Sequence, residues 1–151
     1  MKTVRQLLQV KGNIVYSVSP ETTVYAALKV MADNNVGALL VLHQGGLAGI
    51  FSERDYARKV ALRGKSSKDT QVREIMTEKL DCVSPTQSVN ECMELMTRKK
   101  IRHLPVLENN QLAGVISIGD VVKAVISEQE FKIEQLESYI TGTPAPRGIG
   151  V

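Results

Sequence analysis

The stretch Leu47-Ala48-Gly49-Ile50-Phe51-Ser52-Glu53-Arg54-Asp55 returns 65 positions later as Leu112-Ala113-Gly114-Val115-Ile116-Ser117-Ile118-Gly119-Asp120. The register extends outward from it. Val18-Ser19-Pro20 falls on Val83-Ser84-Pro85, Val24 on Val89, and Met31 on Met96. Leu39, Val41 and Leu42 fall on Leu104, Val106 and Leu107. From Val18–Val60 to Val83–Val125 no gap is needed, and about one position in three is identical. The chain is two copies of one unit. A unit of roughly 60 residues buries little core alone, so the two are expected to pack face to face.

Each copy reads as strand, helix, strand, strand, helix, an α/β repeat. Short strands are expected at Ile14–Val18 and Leu80–Val83. They end at Ser-Pro, where Ser19 and Ser84 suit an N-cap and the proline suits the first helical turn. Gln87, three positions after Ser84, would complete a capping box. The first helix follows from apolar positions at i, i+3, i+4 and i+7: Val24, Ala27, Leu28, Met31, then Val89, Cys92, Met93, Met96. Two apolar runs come next, Val36–Leu42 and Leu47–Phe51, matched by Ile101–Leu107 and Leu112–Ile116. The polar stretches between them predict hairpins with four-residue loops, His43–Gly46 and Glu108–Gln111. A second helix is expected from near Asp55 and near Asp120. The latter runs to about Ile140 with Gly142 as its C-cap. The expected organisation is a first domain over 1–64, a linker and lead-in strand over 65–77, a second domain over 78–142 and a loose tail over 143–151. Within the lead-in, Val72-Arg73-Glu74-Ile75-Met76 resembles Val4-Arg5-Gln6-Leu7-Leu8 before the first copy.

Composition narrows the function classes. Of 151 residues, 43% are hydrophobic and 23% charged, a globular mixture. No apolar run approaches the ~20 residues of a membrane span. Met1–Tyr16 lacks a signal-peptide core, so a cytoplasmic location is the expectation. Two cysteines ten positions apart make neither a disulfide framework nor a metal spacing. A net charge of +3 favours phosphate-bearing ligands but is no nucleic-acid signature, and 4% aromatics leave few stacking platforms.

A repeated unit ending Gly-apolar-apolar-Ser-x-x-Asp resembles the cystathionine β-synthase (CBS) domain, and Ile75-Met76-Thr77 resembles the stretch that opens many of them. The likeness covers roughly Val4 to Ile126. Ser-Glu-Arg-Asp-Tyr-Ala-Arg-Lys, Gly-Lys-Ser-Ser-Lys, Ile-Arg-His-Leu-Pro-Val and Ser-Ile-Gly-Asp-Val-Val make the chain similar to small stand-alone CBS pairs of bacteria and plant organelles. The resemblance implies two CBS domains packed sheet to sheet with pseudo-twofold symmetry, adenosine ligands in two clefts, and dimerisation through helices.

A single Ser-x-x-Asp is more often a helix cap than a binding motif. Two copies in register, each after a Gly-apolar strand, shift the weight toward a ligand. Helix N-termini offer N–H groups and partial positive charge to phosphate. A carboxylate accepts both hydroxyls of a cis-diol, which makes Asp55 and Asp120 ribose candidates, as the resemblance also implies. Ser52 and Ser117 can donate to phosphate or sugar oxygens. Arg54 reads equally as a bidentate phosphate donor or a solvated arginine. Gly119 in the same place permits close backbone approach or merely eases the turn.

The resemblance further implies that the backbone of Gly37-Ala38-Leu39 and of Arg102-His103-Leu104-Pro105 borders an adenine. Arg102 and His103 then reach phosphates, against the alternative of a structural histidine. Pro105 lacks an N–H and implies an edge or interrupted ladder. Tyr16, on the strand that flanks the base in the family, stacks on adenine or packs. Asp81 in the matching place disfavours a triphosphate, which favours AMP or a dinucleotide over ATP in at least one site; among AMP, ADP, ATP, NAD(H) and S-adenosylmethionine, AMP and NAD(H) rank first. Arg98-Lys99-Lys100 reads as a helix C-terminus, Lys65 and Lys68 as linker lysines within possible reach of phosphate, and Cys92 as a small core residue.

The function that follows is a non-catalytic regulatory module binding an adenine nucleotide, with no metal, acting as a homodimer of pairs on an unidentified protein partner. No nucleophile–base set, Walker loop or metal cluster supports an enzyme. The alternatives are a protein-interaction module with no bound nucleotide and, less favoured, nucleic-acid binding, which would carry a steep salt dependence.

Overall fold

A computed structural model describes residues 2–142. The tail over 143–151 lies outside the described residues. In chain order the elements are α1 (Val4–Lys11), β1 (Ser17–Val18), α2 (Val24–Asn34), β2 (Ala38–His43), β3 (Gly46–Ser52), α3 (Glu53–Tyr56) running into a π-helical turn (Ala57–Ala61), and a 3₁₀ turn (Val72–Glu74). Then come α4 (Val89–Lys99), β4 (His103–Glu108), β5 (Gln111–Ser117) and α5 (Ile118–Thr141). The α/β repeat read from the sequence is present. In one sheet β1 runs parallel to β2 and β2 antiparallel to β3; β4 and β5 form a second sheet.

The chain divides into two compact units. One holds Ile14–Cys82 and the hairpin tip Leu107–Gly114. The other holds the N-terminal stretch through Asn13, Val83–Val106 and the chain from Val115 onward. The lead-in segments explain this division. Val72 N–H donates to Thr22 O (2.8 Å), Arg73 N–H to Pro20 O (2.9 Å), and Val24 N–H to Thr70 O (2.8 Å). The N-terminus repeats all three on the second copy: Val4 to Gln87 O, Arg5 to Pro85 O and Val89 to Lys2 O, each at 2.9 Å. Thus the segment preceding each copy docks on the other copy. Residues 65–77, expected to hold a lead-in strand, contribute a 3₁₀ turn and two isolated bridges, Gln71 with Thr23 and Thr77 with Ile50.

The core repeats position by position. Val24, Ala27, Met31, Leu39, Val41 and Phe51 are buried in the first unit; Val89, Cys92, Met96, Leu104, Val106 and Ile116 are their buried matches. Val72 and Ile75 close the first core, and Val4 and Leu7 are buried at the matching places of α1.

Local expectations shift in three places. The strand expected at Ile14–Val18 is only Ser17–Val18, with Ile14 and Tyr16 exposed. Leu80–Val83 is reduced to a single bridge from Val83 to Val106. Ser19 and Ser84 do not cap helices. Their carbonyls close turns, accepting from Thr22 N–H (3.1 Å) and Gln87 N–H (3.2 Å), and the caps are Thr23 and Ser88. Proline's fixed φ serves the turn rather than the helix. Gln87 does reach back to Ser84 N–H (2.8 Å), but the box at the helix is Ser88 with Glu91. The hairpin loops hold two residues, not four. Gln44-Gly45 and Asn109-Asn110 all have positive φ (51°, 79°, 54°, 61°), the turn whose twist matches flanking strands.

Candidate functional site

The two Ser-x-x-Asp motifs sit where a strand hands over to a helix, and each is built as a capping box. Ser52 Oγ accepts the Asp55 N–H (3.1 Å) and Asp55 Oδ2 accepts the Ser52 N–H (3.0 Å). Ser117 Oγ accepts the Asp120 N–H (3.2 Å) and Asp120 Oδ2 accepts the Ser117 N–H (2.8 Å). The N–H of the first helical residue is also taken. Glu53 donates to Gly37 O (3.1 Å) and Ile118 to Arg102 O (2.8 Å). These bonds bring Gly37-Ala38 beside Ser52-Asp55, and Arg102-His103 beside Ser117-Asp120. They also correct the expectation of free helix N–H groups, since the first and third of each helix already have acceptors.

Beyond the caps the two motifs diverge. Asp55 is buried, and its carboxylate is fully committed. Oδ2 also accepts the Ser52 hydroxyl (3.0 Å), while Oδ1 accepts the Thr77 hydroxyl (3.1 Å) and Lys59 Nζ (3.0 Å). Four donors match the ~4 lone-pair sites of a carboxylate. Lys59 also donates to Ile75 O (3.1 Å). Asp120 is more open, its side chain 24% exposed, and its cation comes from far away. Lys11 Nζ, in α1, lies 2.6 Å from Asp120 Oδ2 and donates to Val115 O at 2.6 Å.

Burial alone would raise the Asp120 carboxyl, but the hydrogen bonds and charge of Lys11 and the bonds from Ser117 outweigh it and hold it below the usual carboxylate range. His103 is pushed down, first by burial and then by the charges of Lys11 and Arg102, against the opposing pull of Asp120. Lys11, His103, Ser117 and Asp120 therefore form one electrostatic cluster. A cavity of about 320 Å3 beside it, between α1 and α5, is lined by Lys2, Gln6, Lys11, Asp120, Lys123 and Ser127.

The remaining expected residues fall elsewhere. Leu39 and Leu104 have their side chains in the cores. Pro105 is buried, and its carbonyl accepts the Val83 N–H (3.0 Å). Tyr16 accepts through its carbonyl from Leu40 N–H (3.1 Å), its ring partly exposed. Arg54 and Arg102 are exposed. Gly119 lines a shallow apolar groove along α5 with Ile118, Val122 and Ile126. Lys68 lies 5.0 Å from the centre of the Tyr25 ring. Burial raises the Cys92 thiol to about 11 and, with the Asp81 charge behind it, raises Cys82 as well, so neither is activated. Among the described residues no cluster of three or more His, Cys, Asp or Glu is placed to hold a metal, and no helix is long and apolar enough to cross a membrane.

Lys11, Lys59 and Thr77 are the site residues that sequence reasoning missed. One signal was available: position 124, the match of Lys59, is Ala124, so the second carboxylate lacks the i+4 cation of the first.

A duplicated α/β unit with a Ser-x-x-Asp cap at each strand-to-helix junction defines a tandem-repeat class of fold. The CBS domain profile matches twice, over residues 10–62 and 72–127. The chain belongs to the CBS domain family and carries two copies in tandem. It is 48% identical over 127 residues to the mitochondrial CBS domain-containing protein CBSX3 of Arabidopsis thaliana, covering 81% of this chain and 62% of that protein. It is 34% identical to the CBS domain-containing protein YhcV of Bacillus subtilis, covering 76% of this chain and 81% of that one. A structure described as a signal-transduction protein with CBS domains, from Burkholderia ambifaria MC40-6, superposes with a TM-score of 0.82 at 52% identity, covering 85% of this chain and 96% of that one. A hexameric CBS-CP12 protein from bloom-forming cyanobacteria matches with a TM-score of 0.71 at 25% identity, covering 91% and 85%.

Proposed function

We propose that this CBS pair is a non-catalytic regulatory module that binds an adenine nucleotide, AMP or NAD(H) in preference to ATP, ADP or S-adenosylmethionine, and signals by a shift between conformations or assemblies. One observation carries the reading. Asp120 presents a part-exposed carboxylate for a ribose diol within a cluster of cationic and polar groups, Lys11, His103 and Ser117, suited to phosphate. The Ser-x-x-Asp junction occurs twice, but Asp55 is internally saturated, so the second motif is the stronger ribose site. The test is a thermal-shift screen against these nucleotides. A ligand at a hundred times its Kd stabilises by about 2.7 kcal/mol. A shift with AMP or NAD that Asp120→Ala abolishes supports the reading; no shift with any adenine nucleotide defeats it.

A second reading rests on α5. Phe131, Ile133, Leu136, Tyr139 and Ile140 are exposed along its C-terminal half. An apolar run of this kind is buried in an assembled protein. A second copy of this chain is the occupant favoured here, giving a homodimer of pairs; the hexameric relative shows that CBS proteins assemble.

A further inference from the structure

The two copies solve one electrostatic problem by different means. In the first, the Ile50 carbonyl accepts the Thr77 N–H (2.8 Å), and Asp55 accepts the Thr77 hydroxyl and the local Lys59. In the second, the matching acceptors, Val115 O and Asp120, are both served by a single ammonium, Lys11 Nζ, at 2.6 Å each. Ala124 stands in the place of Lys59. Lys11 therefore holds an oxygen of the carboxylate that a ribose diol would engage, and a diol taking both Asp120 oxygens must displace it. A displaced ammonium, its side chain 30% exposed, falls back on water and exchanges a charge-assisted bond for a weaker one. The cavity between α1 and α5 supplies the setting for a new partner: Lys2, Lys11 and Lys123 line it together with Asp120, three cations against one carboxylate. An anionic group entering there gives Lys11 its replacement partner.

We infer that Lys11 is the specificity-determining residue of the second half-site, coupling diol binding at Asp120 to a phosphate that takes over Lys11. Phosphorylated nucleosides are favoured over bare nucleosides. This rests on the nucleotide-binding reading above and names its ligand class.

The test is titration calorimetry of the full chain with adenosine and with AMP, for the wild type, Lys11→Met and Lys11→Arg. The wild type is expected to favour AMP by ~10-fold or more, the scale of one charge-assisted hydrogen bond. In Lys11→Met, AMP weakens, adenosine tightens, and the preference falls by about 10-fold; Lys11→Arg keeps it. A merely structural lysine would move both ligands together, so equal loss of both overturns the inference, as does no change in either. A wild type that binds neither ligand overturns the nucleotide reading itself. Should Lys11→Met lose its folded baseline, Lys123→Met carries the test: weaker AMP with unchanged adenosine supports the cavity as the phosphate site, and unchanged AMP overturns it.

Discussion

Removing the Asp55 carboxylate separates its structural role from its ligand role. In Asp55→Ala the Ser52 cap box opens, costing about 1 kcal/mol. The Thr77 hydroxyl loses a charged acceptor, worth about another 1 kcal/mol net, because Thr77 is exposed and regains water. The Lys59 pair adds less than about 1 kcal/mol, since the lysine side chain is one-third exposed and turns to solvent. The sum is about 2–3 kcal/mol. At 2–4 °C per kcal/mol for a chain of this size, Tm falls on the order of 5–10 °C. Asp120→Ala loses its cap and the Lys11 contact but has no counterpart of the Thr77 bond. It should cost about 1–2 kcal/mol, on the order of 3–6 °C. The assay is thermal unfolding of both variants without nucleotide. Thr77→Val, alone and with Asp55→Ala, should reveal a coupling of about 1 kcal/mol. If Asp120→Ala melts at or below Asp55→Ala, or the coupling is absent, the assignment of Asp55 as the structural carboxylate is wrong.

Gly49→Ala should destabilise by about 1–3 kcal/mol, because its Cβ would lie 2.8 Å from Thr77 O and 2.9 Å from Met76 Sδ. Gly119→Ala, whose nearest atom is 3.6 Å away, should melt at or slightly above the wild type in the same assay. Acid should weaken the fold in two windows. His103 titrates lower in the folded state than unfolded, so stability falls as pH drops below about 6.5; Asp120 is likewise depressed, so its contribution falls as pH drops below about 4. Urea titrations across pH should show the upper limb flattened in His103→Gln, and an unaltered limb would exclude that histidine as its source. Leu136→Asp should shift the assembly toward single chains by sedimentation equilibrium; an unchanged mass distribution would remove α5 from the interface.

The cores were legible because burial repeats with the register: Val24 with Val89, Ala27 with Cys92 and Phe51 with Ile116 are all buried at matched places. The family likeness rested on the same register. The strand edges were not legible, because Ile14 and Leu80 are apolar without being paired, and hydrophobicity alone does not define a ladder. The Ser-Pro steps carried two valid signals, cap and turn, and the turn won because Thr23 and Ser88 stand closer to the first buried helical residue. The tight hairpins were signalled by Asn109-Asn110, residues that tolerate positive φ, but the flanking His43 and Glu108 looked like loop. Of the candidate site, the Ser-x-x-Asp junctions could be placed from spacing. Lys11 could not, since it meets Asp120 across 109 positions and no local pattern encodes such a contact.

That long-range contact gives the duplication its asymmetry. A cation placed at i+4, as Lys59 is from Asp55, travels with its own carboxylate and is present whenever α3 and its following turn are folded. A cation supplied by α1 is present only while the N-terminal segment stays docked on the second copy through Val4, Arg5 and Lys2. Replacing the lysine of one repeat by Ala124 therefore makes one carboxylate depend on a separate element of the chain. The first motif is locked by its own helix's cap and lysine together with Thr77, and serves the fold. In the second, any ligand that competes for Asp120 also competes with the side chain of α1, so occupancy and the docking of the N-terminal helix are linked by the same bond.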